Sequence, residues 1–493
     1  SFQLARFYAL LRHIGLVGMG NAAPVSDEGA PEVFDLPCDN EKVWAGVMNL
    51  SKEPRVSTFP ELQQRMAVYI DGDLHLSGLK AANSDLQRTG EFDFFGKVLP
   101  FIVRRAQQLP ALRGLLLGGK LPLLRQNQRK SLTIPRELGV SLLANMLLLT
   151  VPPVLHGSLN SVSFAELLRD TSPQEVAKLE MFLHFFARLS EETAMLPGSI
   201  RIYRIVGVAL QEQEWCQSQQ PLLPMEVASK MVGFEENPEL AHADFANMFI
   251  GGGVLSGGCV QEEIRFAICP ELMLSMLVCP CMMEGEAIQI CGAEQFSAYE
   301  GYARSLTYGG DHMDSSARGP DGDVLSEVLA MDALDLRSGD DSLFGQLSSP
   351  NMIRELNKAL AAFTPMDEES LRTHAVVATG NWGCGAFGGC VPLKAVLQWA
   401  SASQCGRKLK YFPFDSNIGP ELFALTQQAV SRGATVGQLV SSLCELRGDA
   451  EPTEKRASQC GEGAVVAGRP PPLDIRHPKL HPEQLLARVR SML

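Results

Sequence analysis

The residues best suited to chemistry are Gly251-Gly252-Gly253-Val-Leu-Ser-Gly257-Gly258-Cys-Val-Gln261-Glu262-Glu263. Three consecutive glycines carry no Cβ atoms, so their backbone N–H groups can come close to a ligand and face phosphate or ribose oxygens. The Gln-Glu-Glu cluster, eight residues on, opens a predicted helix over Gln261–Ile268. A carboxylate there, beside a closely held ligand, suits a general acid. Just upstream, Asp244 and Asn247 place polar side chains three apart at the edge of the same turn. Each feature alone also has a structural reading: glycine turns are common, acids at a helix start complement its dipole, and Asp-x-x-Asn pairs form turns and caps.

A second candidate runs from Thr379 through Gly380-Asn381-Trp382-Gly383-Cys384-Gly385-Ala386-Phe387-Gly388-Gly389, between a predicted strand from Ala375 and a predicted helix near Lys394. A glycine-rich strand-to-helix loop is a phosphate cradle, because unpaired N–H groups and the helix dipole both favour anions. Gly383, Gly385 and Gly388 spell G-x-G-x-x-G, and Asp415 follows the next strand, which raises a dinucleotide-dependent oxidoreductase as a rival. That fingerprint should open a βαβαβ half, yet only 78 residues follow Asp415 and many lie in a proline-rich tail. Tyr299 and Phe414 stand where loops leave predicted strands, placed either to stack on an adenine ring or to fill core. His312 and His374 have no serine or cysteine elbow nearby and read as solvated or core histidines.

Positioning these residues requires strands that alternate with helices. Strands are predicted at Ile200–Val208, Ala246–Ile250, Ala287–Ile290, Ala375–Thr379 and Leu409–Phe414, with helices between them at Pro270–Leu277, Met352–Phe363, Lys394–Ala402 and Pro420–Arg432. This is an α/β layered domain over 199–447. Before it, 85–198 shows apolar residues at three- and four-residue spacing, as at Phe95, Val98, Leu99, Ile102 and Val103, and reads as an all-α accessory domain of about five helices. Residues 1–84 read as an irregular N-terminal segment, and 448–493 as a polar, proline-rich tail ending in a short helix at Pro482–Met492. The apolar stretch from Leu138 to Leu155 contains Ser141 and Asn145 and stops at Pro152-Pro153, so it reads as a buried core helix and no membrane association is expected.

Hydrophobic residues at 45% and charged residues at 20% define a globular composition. With 43 basic and 56 acidic residues the formal charge is −13, which excludes nucleic-acid binding through a broad basic face. A polyanionic ligand must then be met by local donors. The 12 cysteines show no metal spacing, and Cys279-Pro280-Cys281 is too tight for a zinc knuckle, so they read as reduced intracellular thiols and neither metal nor cofactor is expected. Arg6 and Arg12, with no acid before Asp27, have a transit-peptide composition or belong to an ordinary first helix. The expected compartment is the nucleus or cytoplasm, with mitochondrial targeting the lesser alternative.

The sequence resembles the poly(ADP-ribose) glycohydrolase catalytic region over roughly 85–445. The carrying stretches are Asp244-Phe-Ala-Asn247, Gly251-Gly-Gly with Gln261-Glu-Glu-Ile-Arg-Phe266, Glu294-Gln295 with Tyr299-x-Gly-Tyr302, and Ala378-Thr-Gly-Asn-Trp-Gly-Cys-Gly-Ala-Phe-Gly-Gly389. The resemblance implies a macrodomain-like mixed sheet flanked by helices, joined to the N-terminal all-α accessory domain. It also implies that Glu263 is the catalytic acid, that Glu262 hydrogen-bonds ribose, and that Asn247 orients the substrate. Asp244, Gly252, Gly253 and Gln261 fall among the substrate-binding positions; Gly385, Ala386 and Phe387 match the diphosphate loop, Tyr299 and Phe414 the adenine-stacking positions, and Glu235 an adenine contact. The sequence departs from the family pattern at Cys390, where an acid is common, and at Phe296, where Tyr is familiar.

The activity this implies is cleavage of ribose–ribose O-glycosidic bonds with release of ADP-ribose, by a monomer acting on poly(ADP-ribose) and ADP-ribosylated proteins. A non-catalytic ADP-ribose reader and a mono(ADP-ribosyl) hydrolase are the alternatives. Glu262 and Glu263 are adjacent, so their side chains leave the helix about 100° apart and are not expected to oppose each other across one bond. An ionised Glu262 is expected to raise the Glu263 pKa.

Overall fold

The computed structural model describes residues 33–151, 159–192, 196–228, 233–337, 341–414, 417–450 and 480–493. The possible targeting segment, Asp415 and most of the proline-rich tail lie outside the described residues. The chain divides into two compact units, one holding the residues up to Gly207 with 235–332 and 367–374, the other 208–234, 333–366 and 375–493.

The first unit contains a mixed five-stranded sheet. Lys130–Pro135, Ser199–Val206, Glu286–Cys291 and Glu327–Ala330 pair antiparallel in that order, and Ala241–Asp244 adds in parallel to the last. The strands Glu286–Cys291, Glu327–Ala330 and Ala241–Asp244 are buried along their whole length, covered on both faces as central strands are.

Two sequence expectations change here. A strand was predicted at Ala246–Ile250 from its alternating apolar residues, but the strand is Ala241–Asp244, and the amides of Asn247 and Gly251 donate to Glu262 instead of a neighbouring strand. The true strand escaped notice because it buries His242 and Asp244, which no alternation rule favours. Burial pushes the His242 pKa down to about 3, helped by the Arg265 charge, so the ring stays neutral against the Asn237 carbonyl at 2.9 Å.

The segment read as irregular holds the helices Glu41–Asn49, Phe59–Met66 and Ser77–Thr89. Asn40 and Thr58 cap the first two by accepting from Val43 N and Glu61 N, and helices this short between Pro and Gly breakers show little periodicity. The accessory helices continue with Leu99–Gln107, Arg136–Leu147 and Pro173–Glu191. In Arg136–Leu147 every residue except Glu137 is buried, so the apolar stretch is a core helix. Among the described residues no helix is long and apolar enough to cross a membrane. Pro173–Glu191 buries Phe182, Phe185, Phe186 and Leu189, each contributing roughly 1.5–3 kcal/mol on burial, and Phe185 meets Phe296 edge-on at 4.7 Å.

The second unit carries three parallel strands, Val376–Gly380, Lys408–Phe412 and Met225–Val227 in that order. Its main helices are Ser349–Phe363, Val391–Gln404, Gly419–Ser431 and Val436–Ala450, with a terminal helix at Leu485–Met492. The strands Met225–Val227 and Lys130–Pro135 were not anticipated, because one is three residues long and the other is an edge strand with mostly exposed or half-exposed side chains.

A buried ion network ties the accessory helices to the sheet of the first unit. Arg136 donates to Glu271 at 2.6 Å and to Glu294 at 3.0 Å, while Arg188 and Arg318 reach Glu294 at 3.1 and 2.9 Å. Removing one partner of such a network leaves charge without compensation. Arg136→Met is expected to lower the unfolding free energy by roughly 3–5 kcal/mol in denaturant titration; a loss below about 1 kcal/mol would show that the network contributes little.

Candidate active site

The site grows from the turn that follows the buried strand Ala241–Asp244. Gly251 and Gly252 adopt φ of 88° and 49°, which turn the chain back toward the start of helix Gln261–Ile268. That helix presents Glu262 and Glu263 to the turn. Glu262 accepts from Asn247 N at 2.8 Å and Gly251 N at 2.7 Å, and Glu263 accepts from Gly253 N at 2.9 Å and Val260 N at 3.0 Å.

The glycines are needed for this approach. A Cβ on Gly252 would collide with Glu263 Oε1 and stand 2.6 Å from Glu262 Oε2, and one on Gly258 would stand 2.7 Å from the Glu263 carboxyl carbon. The two carboxylates therefore converge on Gly252 from adjacent helix positions. Glu263 retains 7% exposure against 2% for Glu262.

Gln261 and Asp244 hold the turn from beneath. Gln261 accepts from Phe245 N at 2.8 Å and donates to Ala243 O at 3.3 Å, so it brackets the strand end. Asp244, grouped with the substrate-binding positions, has no exposed surface, and neither of its oxygens has a hydrogen-bond partner. Burial, with the Glu263 charge adding to it, pushes the Asp244 pKa up to about 8. Glu262 is also raised well above the ordinary carboxylate range, by burial first and then by Asp244 and Glu263. Three carboxyls share one low-dielectric space, which works against the ionised Glu262 that the sequence leads one to expect. Asn247 uses its side-chain oxygen to accept from Phe249 N at 3.0 Å, which fixes the turn locally.

Arg265 belongs to the same motif, and its residue type alone points to no role in the site. It lies one turn beyond Gln261 on the same helix face, is 5% exposed, and faces the charges of Glu235, Asp314 and Asp244. It lines a polar cavity with Glu235, Gln295, His312 and Asp314. Glu235, in the turn Phe234–Glu236, has its pKa raised by burial and opposed by Arg265. Tyr299 stands half-buried on the strand Ser297–Glu300 near Glu235, Arg265 and Tyr302, its phenol pushed up mainly by burial. The first unit thus gathers Glu235, Asp244, Asn247, Gly252, Gly253, Gln261, Glu262, Glu263 and Tyr299, with the carboxyl pair at the glycine turn and Glu235 with Tyr299 beside Arg265.

The remaining candidates belong to the second unit. The loop between Val376–Gly380 and Val391–Gln404 exposes Gly385 and Ala386, and a Cβ at Gly385 would meet open space. Gly383, at φ 72°, packs where a Cβ would lie 2.5 Å from Ala333 Cβ. Trp382 is fully buried and serves as core, with Lys394 Nζ 3.9 Å from its ring centroid. Phe387 is half-buried, its carbonyl accepting from Leu336 N at 3.0 Å and Arg337 lying 5.4 Å from its ring. Phe414 is 47% exposed and holds φ of 53°, a left-handed conformation that costs a bulky residue strain. Asn381 joins this end to the glycine loop, donating to Pro413 O at 3.0 Å and accepting from Tyr411 Oη at 2.9 Å. Among the described residues no group of three or more His, Cys, Asp or Glu side chains is placed to hold a metal ion.

A mixed-sheet α/β domain with a glycine-lined carboxyl pair, joined to a helical accessory part, defines a protein built for acid–base chemistry on a closely held ligand. Residues 86–204 match the family model described as Poly (ADP-ribose) glycohydrolase (PARG), helical domain, and residues 212–418 the one described as Poly (ADP-ribose) glycohydrolase (PARG), Macro domain fold. The chain is 30% identical over 428 residues to Probable poly(ADP-ribose) glycohydrolase 2 of Arabidopsis thaliana, covering 73% of this chain and 79% of that one. It is 32% identical over 348 residues to Poly(ADP-ribose) glycohydrolase 1 of the same plant, covering 57% and 62%, and 34% identical over 293 residues to Poly(ADP-ribose) glycohydrolase 1 of Caenorhabditis elegans, covering 57% and 37%. The matches thus span between about one third and four fifths of these relatives' own lengths. The chain belongs to the poly(ADP-ribose) glycohydrolase family.

The raised Asp244 pKa has a stability consequence. Between the unfolded value of 3.8 and the folded value of about 8, the native state keeps a proton that the unfolded chain releases. The Asp244 contribution to stability therefore falls as pH rises through that window. Asp244→Asn is expected to flatten the decline of melting temperature between pH 5 and 8, and equal slopes for both proteins would show that Asp244 is ionised in the fold.

Proposed function

We propose that this chain hydrolyses the ribose–ribose O-glycosidic bonds of poly(ADP-ribose) and releases ADP-ribose, with Glu263 as general acid and then general base. The observation that carries the reading is the Glu263 carboxyl at the floor of the glycine turn, hydrogen-bonded by Gly253 N and Val260 N and more open than its neighbour Glu262.

Protonated Glu263 gives its proton to the leaving ribose hydroxyl oxygen as the bond to the anomeric carbon breaks. The carboxylate then takes a proton from water, whose oxygen bonds to the oxocarbenium-like carbon. Both glutamates are held by backbone amides; Glu262 is the more buried, and it is assigned to positioning the turn and meeting the ribose. Ordinary glycosidases separate two carboxyls across the sugar, whereas these two come from adjacent helix positions and both approach Gly252. One working glutamate is the consistent assignment. Within the first unit, Glu235 and Tyr299 are assigned to the adenine end. Polymer attached to ADP-ribosylated proteins is included among the substrates.

The test compares release of free ADP-ribose from purified polymer by wild-type protein and Glu263→Gln, with ADP-ribose affinity measured on both. The substitution is expected to lower the rate by roughly 10²–10⁴-fold, the range for a lost general acid, and to leave ADP-ribose bound. Wild-type protein that binds ADP-ribose without cleaving polymer would make the chain a reader.

A further inference from the structure

The outer side of the glycine turn is held by two side chains of the accessory part that enter none of the roles assigned above. Asn160 Nδ2 donates to Phe249 O at 3.3 Å, Ile250 O at 3.0 Å and Gly252 O at 2.8 Å. Lys178, on helix Pro173–Glu191 and with no exposed surface, donates through Nζ to Ser256 O and Gly258 O, each at 2.5 Å. Five carbonyls of the turn between 249 and 258 are thereby tied to the accessory part, while the amides of Gly251 and Gly253 hold Glu262 and Glu263.

We propose that Lys178 and Asn160 are positioning residues for the hydrolysis: they clamp the outer carbonyls of the glycine turn so that its inner amides fix the carboxyls of Glu262 and Glu263. The inference rests on the glycohydrolase reading and adds a role for the accessory part, which supplies one wall of the catalytic turn. A lysine with no exposure is otherwise an expensive choice at a helix position, since its charge must leave water. Burial pulls its pKa down, and the opposite charges of Glu175 and Glu263 resist that pull.

The two clamps differ in charge, which separates two effects. Asn160 acts through geometry alone. Lys178 also places a positive charge near Glu263, whose other titratable neighbours are Asp244, Glu262, Cys259 and Tyr302. Lys178 itself faces Glu175, Glu166 and Cys259 as well as Glu263. Removing a positive charge beside a carboxyl favours the protonated form, so the alkaline limb of the rate, where the acid loses its proton, moves to higher pH.

The experiment measures steady-state release of ADP-ribose from purified poly(ADP-ribose) by the full chain, Lys178→Met, Lys178→Arg and Asn160→Leu, with pH profiles and ADP-ribose affinity. Lys178→Met is expected to lose about tenfold or more in kcat with KM within about threefold, and to shift its alkaline limb upward by about half a pH unit. Lys178→Arg restores part of kcat and returns the limb toward its original position. Asn160→Leu, at a half-exposed site, is expected to lose about fivefold in kcat with the limb unmoved, and it decides the matter alone if Lys178→Met does not fold. Variants that keep kcat within about twofold of wild type, or that lose only KM, overturn the clamp while leaving the reaction intact. Wild-type protein that releases no ADP-ribose overturns the reaction and the clamp together.

Discussion

The first unit depends on the approach of two carboxyls to bare backbone. Four amides, those of Asn247, Gly251, Gly253 and Val260, converge on Glu262 and Glu263 because no Cβ stands at Gly252 or Gly258. Hydrogen bonds from amides to carboxyl oxygens are directional and strengthened by low dielectric, so they fix two side chains that would otherwise sample several rotamers. The strand Ala241–Asp244, the helix Gln261–Ile268 and the accessory helix Pro173–Glu191 then each supply one side of the enclosure. Gln261 links the first two, and Lys178 links the third to the turn.

Crowding of like charge is the cost of that arrangement. Asp244, Glu262 and Glu263 cannot all be ionised in one buried space without compensation. The structure answers in two ways. Asp244 has no donor to either oxygen and takes a proton, while Arg265 and Lys178 bring positive charge from opposite elements. Proton retention on Asp244 also explains why an acid with no exposed surface can lie inside a sheet strand at neutral pH.

The chemistry was legible in the sequence because its parts are contiguous: the glycine triplet, the cluster Gln261-Glu262-Glu263 and the second loop through Phe387 each lie within one short stretch. Helix Gln261–Ile268 has the bounds that the sequence predicts from the Gln-Glu-Glu cluster that opens it. What was missed is non-local. Lys178 lies 78 and 80 residues from the carbonyls it binds, and on a helix its residue type signals solvent. The strand Ala241–Asp244 was displaced by five residues because His242 and Asp244 interrupt the apolar pattern that betrays a buried strand, while Ala246, Met248 and Ile250 imitate it. In each case tertiary burial of an ionisable side chain overrode the local rule.

The overall charge of −13 sharpens what the site must do for a polyanionic ligand. A long-range field from a broad basic face would attract phosphate indiscriminately and weaken steeply with salt. At the glycine turn the positive groups are fixed amide dipoles and two cations held inside the fold, Arg265 and Lys178. Such groups act only on a ligand already seated against the backbone, where low dielectric makes them strong. In the second unit Gly385 and Ala386 are exposed on a glycine-rich loop, where backbone could serve a ligand in the same short-range way. On the proposed reading, selectivity follows from shape before charge: a sugar and phosphate must fit against glycine before any of the buried charges is felt.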